Sequence, residues 1–214
     1  MKKFLLFLSL IFILVSGCSS KAPAKKTASE LLESARKEYK DKDYIQAVRF
    51  FQQLRNWYPY SIHVKEAELK IADSYFAMKK YHEAISAYEY FLKLHPLNPE
   101  AHKAAFRIGE AYYKQILSKD RDQTDTKNAL QSLKKFVHSY PESKYREKAH
   151  KYINFCMNRL ADSRLYIANF YFKQKAYEAS YQRLKDILKN FPGTEAYNEA
   201  MKKINKIPEK FKKE

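Results

Sequence analysis

The chain has 214 residues and a formal net charge of +17, with 3 glycines, 18 tyrosines and 14 phenylalanines. This length allows one elongated domain, and it excludes a lytic transglycosylase, which adds a separate catalytic domain to a helical superhelix. The basic residues are mixed with acidic ones, as in Lys65-Glu66, and form no Arg-rich block with interleaved aromatics. We therefore expect a solvated basic surface and no nucleic-acid site.

The first residues have the pattern of an export signal. Lys2 and Lys3 precede an apolar run, Phe4 to Val15, that is short for a bilayer span. The run closes with Ser16-Gly17-Cys18, and small residues before a Cys resemble a bacterial lipobox, in which the Cys is acylated after cleavage. An ordinary signal peptide that happens to contain a Cys is the alternative.

We therefore predict a lipoprotein signal peptide over residues 1–17 and a lipidated tether over 18–29, anchored to the membrane through Cys18. Ser19 stands where Asp often signals inner-membrane retention in such lipoproteins, which favours the outer membrane. Without Cys18, Cys156 is alone, which excludes an intramolecular disulfide and indicates a small core residue.

A sequence pattern of aromatic, small and large apolar residues before a proline recurs along the chain and is here called the repeated phrase. Its copies are Tyr44, Ala47, Phe51, Leu54 and Tyr58-Pro59; Tyr81, Ala84, Tyr88, Phe91 and His95-Pro96; Ala129, Leu133, Phe136 and Tyr140-Pro141; and Tyr177, Ser180, Leu184, Ile187 and Phe191-Pro192. Small residues let two helices approach, aromatics fill the gap between them, and Pro ends the second helix. The pattern is typical of tetratricopeptide (TPR) pairs, so the predicted fold is all-α, a superhelical stack of TPR helix pairs with about ten helices.

The elements follow in chain order. The predicted helices are Ser29–Lys40, Tyr44–Asn56, Ser61–Met78, Tyr81–Leu94, Pro99–Ile116, Lys127–Ser139, two helices within Ser143–Lys175 that break near Ala161-Asp162, Tyr177–Asn190 and Thr194–Lys206. Ser29, Ser61 and Asn98 are the expected N-caps. These elements form N-terminal repeats over 30–141 and C-terminal repeats over 142–206. A basic tail over 207–214 either contacts anionic headgroups or frays.

The repeat spacing grows after Gly109, a residue for which close helix packing is the expected reason. Gly109 and Ala129 are 20 residues apart (129 − 109), whereas Ala35 and Ala47 are 12 apart (47 − 35). The difference predicts an inserted loop around Asp120-Arg121-Asp122-Gln123. Its carboxylates suggest a metal, but the Gly and Glu that an EF-hand loop requires are missing. We expect a hydrogen-bonded loop in which Arg121 pairs with Asp, and neither a metal nor a cofactor.

Several of these features together resemble the BamD family of lipoproteins over residues 30–200. They are the lipobox, the TPR phrase, Tyr58-Pro59-Tyr60-Ser61, His95–Pro99, Asn158–Ala161, Tyr166–Ala168, Phe170-Tyr171 and above all Asp120-Arg121-Asp122-Gln123. The resemblance implies a lipid-anchored scaffold on the periplasmic face of the outer membrane, belonging to the β-barrel assembly machinery. It also implies two kinds of partner. The C-terminal repeats bind the POTRA domains of the insertase BamA, and the other lipoproteins of the assembly machinery are partners as well. The N-terminal repeats receive the C-terminal segment of unfolded outer-membrane proteins.

A groove for a segment that ends in an aromatic residue and a free carboxylate needs aromatic walls and a cation. The candidate wall residues are Trp57, Tyr58, Tyr60 and Tyr75, and the candidate cations are Lys65, Arg55 and His63. Trp57 is equally consistent with a core position. Arg183, nine residues before Pro192, matches the family's insertase-facing Arg, with an ordinary solvent-exposed helix Arg as the alternative.

Enzyme motifs are missing from the sequence, which contains no Gly-rich phosphate loop, no Gly-x-Ser-x-Gly and no His-Glu-x-x-His. We therefore predict a protein that is not an enzyme. Two other functions remain open. One is a generic cell-envelope TPR lipoprotein that scaffolds division or peptidoglycan-linked complexes. The other is a nucleic-acid binder in uptake, whose affinity falls steeply with salt.

Overall fold

The computed structural model describes residues 25–212, so Cys18 and the predicted signal peptide lie outside the described residues. The described chain folds into nine α-helices and a short 3-10 turn. They are α1 (Ala28–Lys40), α2 (Tyr44–Trp57), α3 (Val64–Ala77), α4 (Tyr81–Leu94), α5 (Ala101–Tyr113), α6 (Thr124–Ser139), α7 (Arg146–Lys173), α8 (Tyr177–Asn190), α9 (Glu195–Ile204) and the 3-10 turn Glu209–Phe211. Residues 25–212 contain no strand, which confirms the all-α prediction. None of these helices is long and apolar enough to cross a membrane.

The helices stack in chain order, each packed mainly against the one before it and the one after it. The pairs α1–α2, α3–α4 and α5–α6 follow the TPR pattern. The core is therefore a row of thin clusters, each centred on one or two pairs. Phe51 and Leu54 are fully buried in the first cluster, and Tyr88 and Phe91 are their counterparts in the second.

The same turn closes three of the helix pairs. Lys42, Lys79 and Lys175 each adopt a left-handed backbone, with φ of 64°, 60° and 59°. In each turn two backbone N–H groups bond back to the preceding helix, for example Lys79 N to Phe76 O (3.0 Å) and Lys80 N to Tyr75 O (2.9 Å). These are the bonds of a Schellman motif.

An aromatic pair bridges each of these turns edge to face. The ring centroids lie 5.4 Å apart in Tyr39–Tyr44, 5.5 Å apart in Phe76–Tyr81 and 5.5 Å apart in Phe172–Tyr177. Edge-to-face rings at this spacing add to the stability of the turn. These aromatic pairs therefore reinforce the backbone hydrogen bonds at the point where the two helices of a pair meet.

The predicted break near Ala161-Asp162 is wrong. Helix α7 runs unbroken for 28 residues, from Arg146 to Lys173. Its first half packs against α6 around Ala149, and its second half packs against α8 around Ala168. The segment contains neither Pro nor Gly, so no residue interrupts the backbone hydrogen bonds and one helix serves two neighbours.

Small residues allow close helix contacts, as expected. Ala35, Ala72 and Ala168 are fully buried. Gly109 occupies the same place in α5, where a Cβ atom would lie 2.7 Å from the Leu133 side chain of α6. This confirms that packing explains the glycine, because α5 and α6 approach more closely than an Ala would allow.

Several predicted helix starts are displaced. Thr27, and not Ser29, caps α1 through a capping box with Glu30. Helix α3 begins at Val64, because Ser61 belongs to the turn before it, where its hydroxyl accepts from His63 N. The Asn98 side chain likewise accepts from Glu100 N (2.8 Å) in the turn before α5. Helix α6 begins three residues earlier than predicted, at Thr124.

The start of the predicted basic tail is packed against the last helices. Ile207 is buried in the cluster formed by α7, α8 and α9. Phe211 lies against Tyr177, with 5.4 Å between the ring centroids. The last described residues therefore close the C-terminal end of the stack.

Candidate functional site

The candidate peptide-binding site is a groove of about 460 Å³ between α2, α3 and α4, here called the first groove. Its walls are mostly apolar and aromatic, formed by Ile71 and Tyr75 from α3 and by Ala87 and Tyr90 from α4. Apolar walls with a few placed polar groups are typical of binding sites. The first groove therefore offers what a short apolar segment needs.

Arg55 supplies a cation to the first groove. It lies in the last turn of α2, where a positive charge is favourable, and its guanidinium is 6.0 Å from the centroid of the Tyr90 ring. Beside it, Gln52 donates from its amide nitrogen to the Tyr75 hydroxyl at 3.4 Å. Glu68 also lines the groove but is buried, and its carboxylate lies 2.6 Å from His95 Nε2. His82, Glu83 and Ser86 complete the lining as exposed residues.

A second groove of about 460 Å³ lies one repeat further along, between α4, α5 and α6. Four of its residues stand 37 positions after residues of the first groove (89 − 52 = 37). The pairs are Gln52 and Glu89, Arg55 and Leu92, Glu68 and Ala105, and Ile71 and Ile108. The two grooves occupy equivalent places in successive repeats but differ in chemistry, because Leu92 stands where Arg55 stands in the first groove.

Buried acidic groups tie α3 to its neighbours beneath the first groove. Asp73 accepts from the Tyr88 hydroxyl at 2.6 Å and from Lys103 Nζ at 2.7 Å, which links α3 to α4 and α5. Burial, reinforced by the nearby Asp73 charge, raises the pKa of Tyr88 far above its ordinary range, so this hydroxyl stays protonated and donates. The ties position the walls of the groove and supply no reactive group.

Glu110 has the same structural role in the following repeat. It is buried in α5, and its carboxylate accepts from Arg107 at 2.5 Å and from Lys148 at 2.7 Å. Burial opposes ionisation, but the hydrogen bond from Lys148 and the charge of Arg107 outweigh it and lower the pKa of Glu110. Lys148 is on α7, so Glu110 joins α5 directly to the long helix.

The loop with Asp120-Arg121-Asp122-Gln123 is hydrogen-bonded, as predicted, but through different residues. Gln123 is buried and donates from its amide to Ser118 O (2.7 Å) and Arg121 O (3.0 Å). Its oxygen accepts from the Thr126 hydroxyl (2.9 Å), and Asp122 accepts from Thr124 N (2.9 Å). The expected pairing of Arg121 with Asp is wrong, since no salt bridge among residues 25–212 involves Arg121.

The other candidate groove residues lie elsewhere. Tyr75 is in the first groove, whereas Trp57, Tyr60 and Lys65 are exposed at the end of the α2–α3 hairpin. Trp57 is 43% exposed, with Lys25 Nζ 4.9 Å from its ring centroid, so the core alternative for Trp57 is wrong. The structure thus favours Arg55 over Lys65 as the cation of this groove.

Sequence reasoning missed Gln52 and Tyr90 as lining residues. The signal that locates them is the 37-residue register. Gln52 stands where Glu89 stands in the next repeat, so both belong to the face of the second helix that borders the following pair.

Arg183 lies on α8 and is partly buried. Its guanidinium is 4.4 Å from the centroid of the Tyr171 ring on α7, and it donates weakly to Ala179 O at 3.3 Å. Tyr171 in turn meets Phe170 edge to face at 5.6 Å, and Phe170 is 56% exposed. Tyr166 and Ile167 are exposed on the same stretch of α7. Together these residues form a mixed cationic and aromatic surface, here called the α7–α8 surface.

Cys156 is fully buried, as predicted for a core residue. Burial raises the pKa of its thiol to about 12, so the reactive thiolate does not form at neutral pH. Within the described region of the chain, no group of three or more His, Cys, Asp or Glu side chains is arranged to hold a metal ion.

Comparison with known proteins gives a consistent result. Residues 24–212 match the family model YfiO, described as an outer membrane lipoprotein. The outer membrane protein assembly factor BamD of Neisseria gonorrhoeae is 27% identical over 219 residues, covering 94% of this chain and 82% of the relative. The protein of that name from Caulobacter vibrioides is 28% identical over 193 residues (87% and 63%), and that from Vibrio cholerae is 26% identical over 209 residues (92% and 85%).

Proposed function

The chain belongs to the YfiO family of outer membrane lipoproteins, and from that premise we propose that it is a lipid-anchored scaffold for the assembly of outer-membrane proteins. The observation that carries the proposal is the family match, which spans residues 24–212 and so the whole described stack of helices. Relatives from three bacterial genera carry the name assembly factor. A scaffold acts by binding, and stacked helix pairs offer extended surfaces for it.

The proposed anchor is Cys18, followed by a short tether that leads to α1. Several acyl chains on one Cys would hold the chain firmly at the membrane, whereas a single chain binds reversibly. The mature chain then stays on the periplasmic face of the outer membrane.

The proposed substrate contact is the first groove. An unfolded outer-membrane protein presents a C-terminal segment that ends in an aromatic residue and a carboxylate. The aromatic side chain packs against Tyr75 and Tyr90, and Arg55 pairs with the carboxylate. A charged hydrogen bond of this kind is worth about 1.5–3 kcal/mol, equivalent to about a tenfold or larger change in affinity.

The proposed insertase contact is the α7–α8 surface, for which POTRA domains of the BamA type are the expected partner. Arg and aromatic residues are enriched among the side chains that dominate binding energy at interfaces. Arg183 is held on the Tyr171 ring (4.4 Å), so its position is fixed before a partner arrives. Preorganisation of this kind lowers the entropic cost of binding.

Co-purification from detergent extracts tests the insertase contact. The tagged chain, expressed at its native level, is expected to retain the barrel insertase and the other lipoproteins of the machinery. Arg183→Glu should release the insertase. Lys189→Glu, which reverses a charge at an exposed position on the same helix, should not. Retention of peptidoglycan-linked proteins without any barrel protein would favour the generic envelope scaffold instead.

Peptide binding tests the substrate contact. A peptide that ends in Phe with a free carboxylate should bind more weakly to Arg55→Ala, by about tenfold. The amidated peptide should be insensitive to that change, because it has no carboxylate to pair. Lys135→Ala, in the second groove, is the matched control and should bind both peptides as the unchanged chain does.

A further inference from the structure

Five large apolar side chains are exposed where the first two helix pairs end. Together they form a surface here called the apolar edge. Tyr60 is 100% exposed and Ile62 is 87% exposed in the turn between α2 and α3, and Leu97 is 96% exposed in the turn between α4 and α5. Trp57 and Leu94 flank these turns and are also exposed. Contiguous exposed apolar groups of this kind mark surfaces that meet a partner or a membrane.

The two turns share one edge of the stack. His95, at the end of α4, contacts Glu68 near the start of α3 at 2.6 Å. Arg55 near the end of α2 lies 6.0 Å from the Tyr90 ring near the end of α4. Helices α2 and α4 therefore run in the same direction, and their C-terminal turns lie side by side.

Among the described turns that join one helix pair to the next, large apolar side chains are exposed only in these two. The positions that correspond to Tyr60 and Leu97, directly after the turn proline, are Glu142 after α6 and Gly193 after α8, neither of which is apolar. The opposite edge carries lysines instead, with Lys42, Lys79 and Lys175 in its short turns. The apolar edge is thus specific to the N-terminal end of the molecule and is not a general property of the repeat.

The chain enters the fold beside this edge. Lys25 Nζ lies 4.9 Å from the centroid of the Trp57 ring, and the Tyr58 hydroxyl donates to Lys26 O at 2.8 Å. Cys18 and Lys25 are seven residues apart (25 − 18). Seven residues reach at most about 25 Å even when fully extended. A lipid on Cys18 therefore keeps the apolar edge close to the membrane surface.

The charges around the apolar edge suit a lipid surface. Lys25, Lys65 and Lys93 are exposed next to it and carry no salt bridge among the described residues. Two acidic side chains near the edge are already engaged, Glu66 with Arg36 (2.5 Å) and Glu68 with His95, whereas Glu100 after Leu97 is exposed. Lysines near a membrane surface add attraction to anionic headgroups.

We propose that the apolar edge docks into the headgroup region of the membrane that carries the lipid anchor. Trp57 and Tyr60 lie at interfacial depth, where amphipathic rings are favoured, and Ile62 and Leu97 reach towards the acyl chains. The proposal rests on the proposed anchor at Cys18. Docking orients the stack, with its first two pairs on the membrane and its C-terminal pairs held away from it.

Trp57 is a natural probe of this contact because it is the single tryptophan of the chain. The full lipidated protein is reconstituted into vesicles of phosphatidylethanolamine and phosphatidylglycerol whose acyl chains carry bromine, which quenches nearby tryptophan. Docking predicts a blue-shifted Trp57 emission that is strongly quenched. The combined variant Tyr60→Ser, Ile62→Ser and Leu97→Ser should float with the vesicles but lose most of the quenching.

Ile45→Ser is the matched control, since Ile45 is an exposed apolar residue at the start of α2, towards the opposite edge. It should leave the quenching unchanged. The docking proposal is overturned if the protein floats while Trp57 stays unquenched. It is also overturned if the combined variant is quenched as strongly as the parent. Shielding of Trp57 only when the barrel insertase is added also overturns it, in favour of a protein contact. A protein that does not float at all lacks the anchor, which contradicts the proposed function as well.

Discussion

The second and third helix pairs use the same phrase but are held together differently. In α3–α4 a short Schellman turn at Lys79 joins the helices, and Phe76 and Tyr81 bridge it edge to face at 5.5 Å. In α5–α6 a longer loop replaces the turn, and no aromatic pair spans it among the described residues. Tyr113 instead stacks on Tyr152 of α7 at 3.8 Å.

The difference shows that a helix pair joined by a long loop must be held by contacts other than those of the turn. The short turn fixes the angle between two helices through its own backbone hydrogen bonds. The long loop cannot do this, so the third pair is fixed by other contacts. Gln123 bonds inside the loop, Gly109 lets α5 and α6 approach closely, and Glu110 joins α5 to α7. Substitutions in the second pair should therefore act through the backbone of the turn, and those in the third pair through packing, hydrogen bonds and ion pairs.

The largest effect is expected at Glu110. Glu110→Ala removes a buried carboxylate that pairs with Arg107 and Lys148, and it should lower the free energy of unfolding by about 2–3 kcal/mol. This loss is smaller than that for fully buried pairs because Lys148 is half exposed. Urea unfolding followed by circular dichroism measures it, with the exposed Glu89→Ala as the control.

Glu110 also predicts a pH dependence. Because its pKa in the folded protein is lowered from 4.5, its contribution is fully present above pH 4.5 and is lost as the pH falls through the folded pKa. The stability difference between the parent and Glu110→Gln should therefore shrink on acidification. A difference that stays constant from neutral pH to pH 3 would contradict the assignment.

The next effect is expected at Gly109. Gly109→Ala places a Cβ 2.7 Å from the Leu133 side chain, and overpacking of this kind costs about 1–3 kcal/mol, partly offset by about 1 kcal/mol of helix propensity. A net loss of about 1 kcal/mol should appear in thermal or urea unfolding. In a Leu133→Ala background the same change should cost less, since the Leu133 side chain is gone and the 3.3 Å approach to the backbone N of residue 133 remains. A loss of equal size in both backgrounds would mean that the contact is not the cause.

Gln123 should have a similar or slightly smaller effect. Gln123→Ala removes two hydrogen bonds to loop carbonyls and one from Thr126, with an expected loss of about 1 kcal/mol. Hydrogen exchange should show the loss concentrated in the loop and the first turn of α6. Lys119→Ala, at an exposed position in the same loop, should change neither quantity.

The smallest effect has the opposite sign. Lys79 adopts φ of 60°, which Gly tolerates without strain, so Lys79→Gly should stabilise the protein by up to about 1 kcal/mol. Lys80 has φ of −81°, and Lys80→Gly should destabilise it by a similar amount. If both substitutions act in the same direction, the turn does not carry the strain that its backbone indicates.

Much of the fold was predictable from local signals. The bounds of α4 and α8 agree at both ends with the prediction, because an aromatic residue opens each helix and an aromatic or His before Pro closes it. The continuous α7 was not predictable from repeat length. The length of this segment fits two helices of ordinary repeat size, but the segment contains no residue that would break a single helix.

The site was only partly predictable. The need for aromatic walls and a cation led to Tyr75, Arg55 and Lys65, but only the first two line the groove. Tyr60 and Lys65 are near them in sequence but are exposed at the edge of the stack, because Tyr60 lies in the turn between α2 and α3 and Lys65 in the first turn of α3. Which face a turn residue occupies depends on how two pairs stack, and a single sequence does not encode that locally.

Depletion of the protein from cells, followed by measurement of folded outer-membrane barrels, tests the central claim most directly. Folded and unfolded barrels migrate differently in unheated gels, so both are measured together. The amount of folded barrels should fall on depletion and return with the unchanged chain, but not with Cys18→Ala. Unchanged amounts of folded barrels in cells that lack the protein would contradict it.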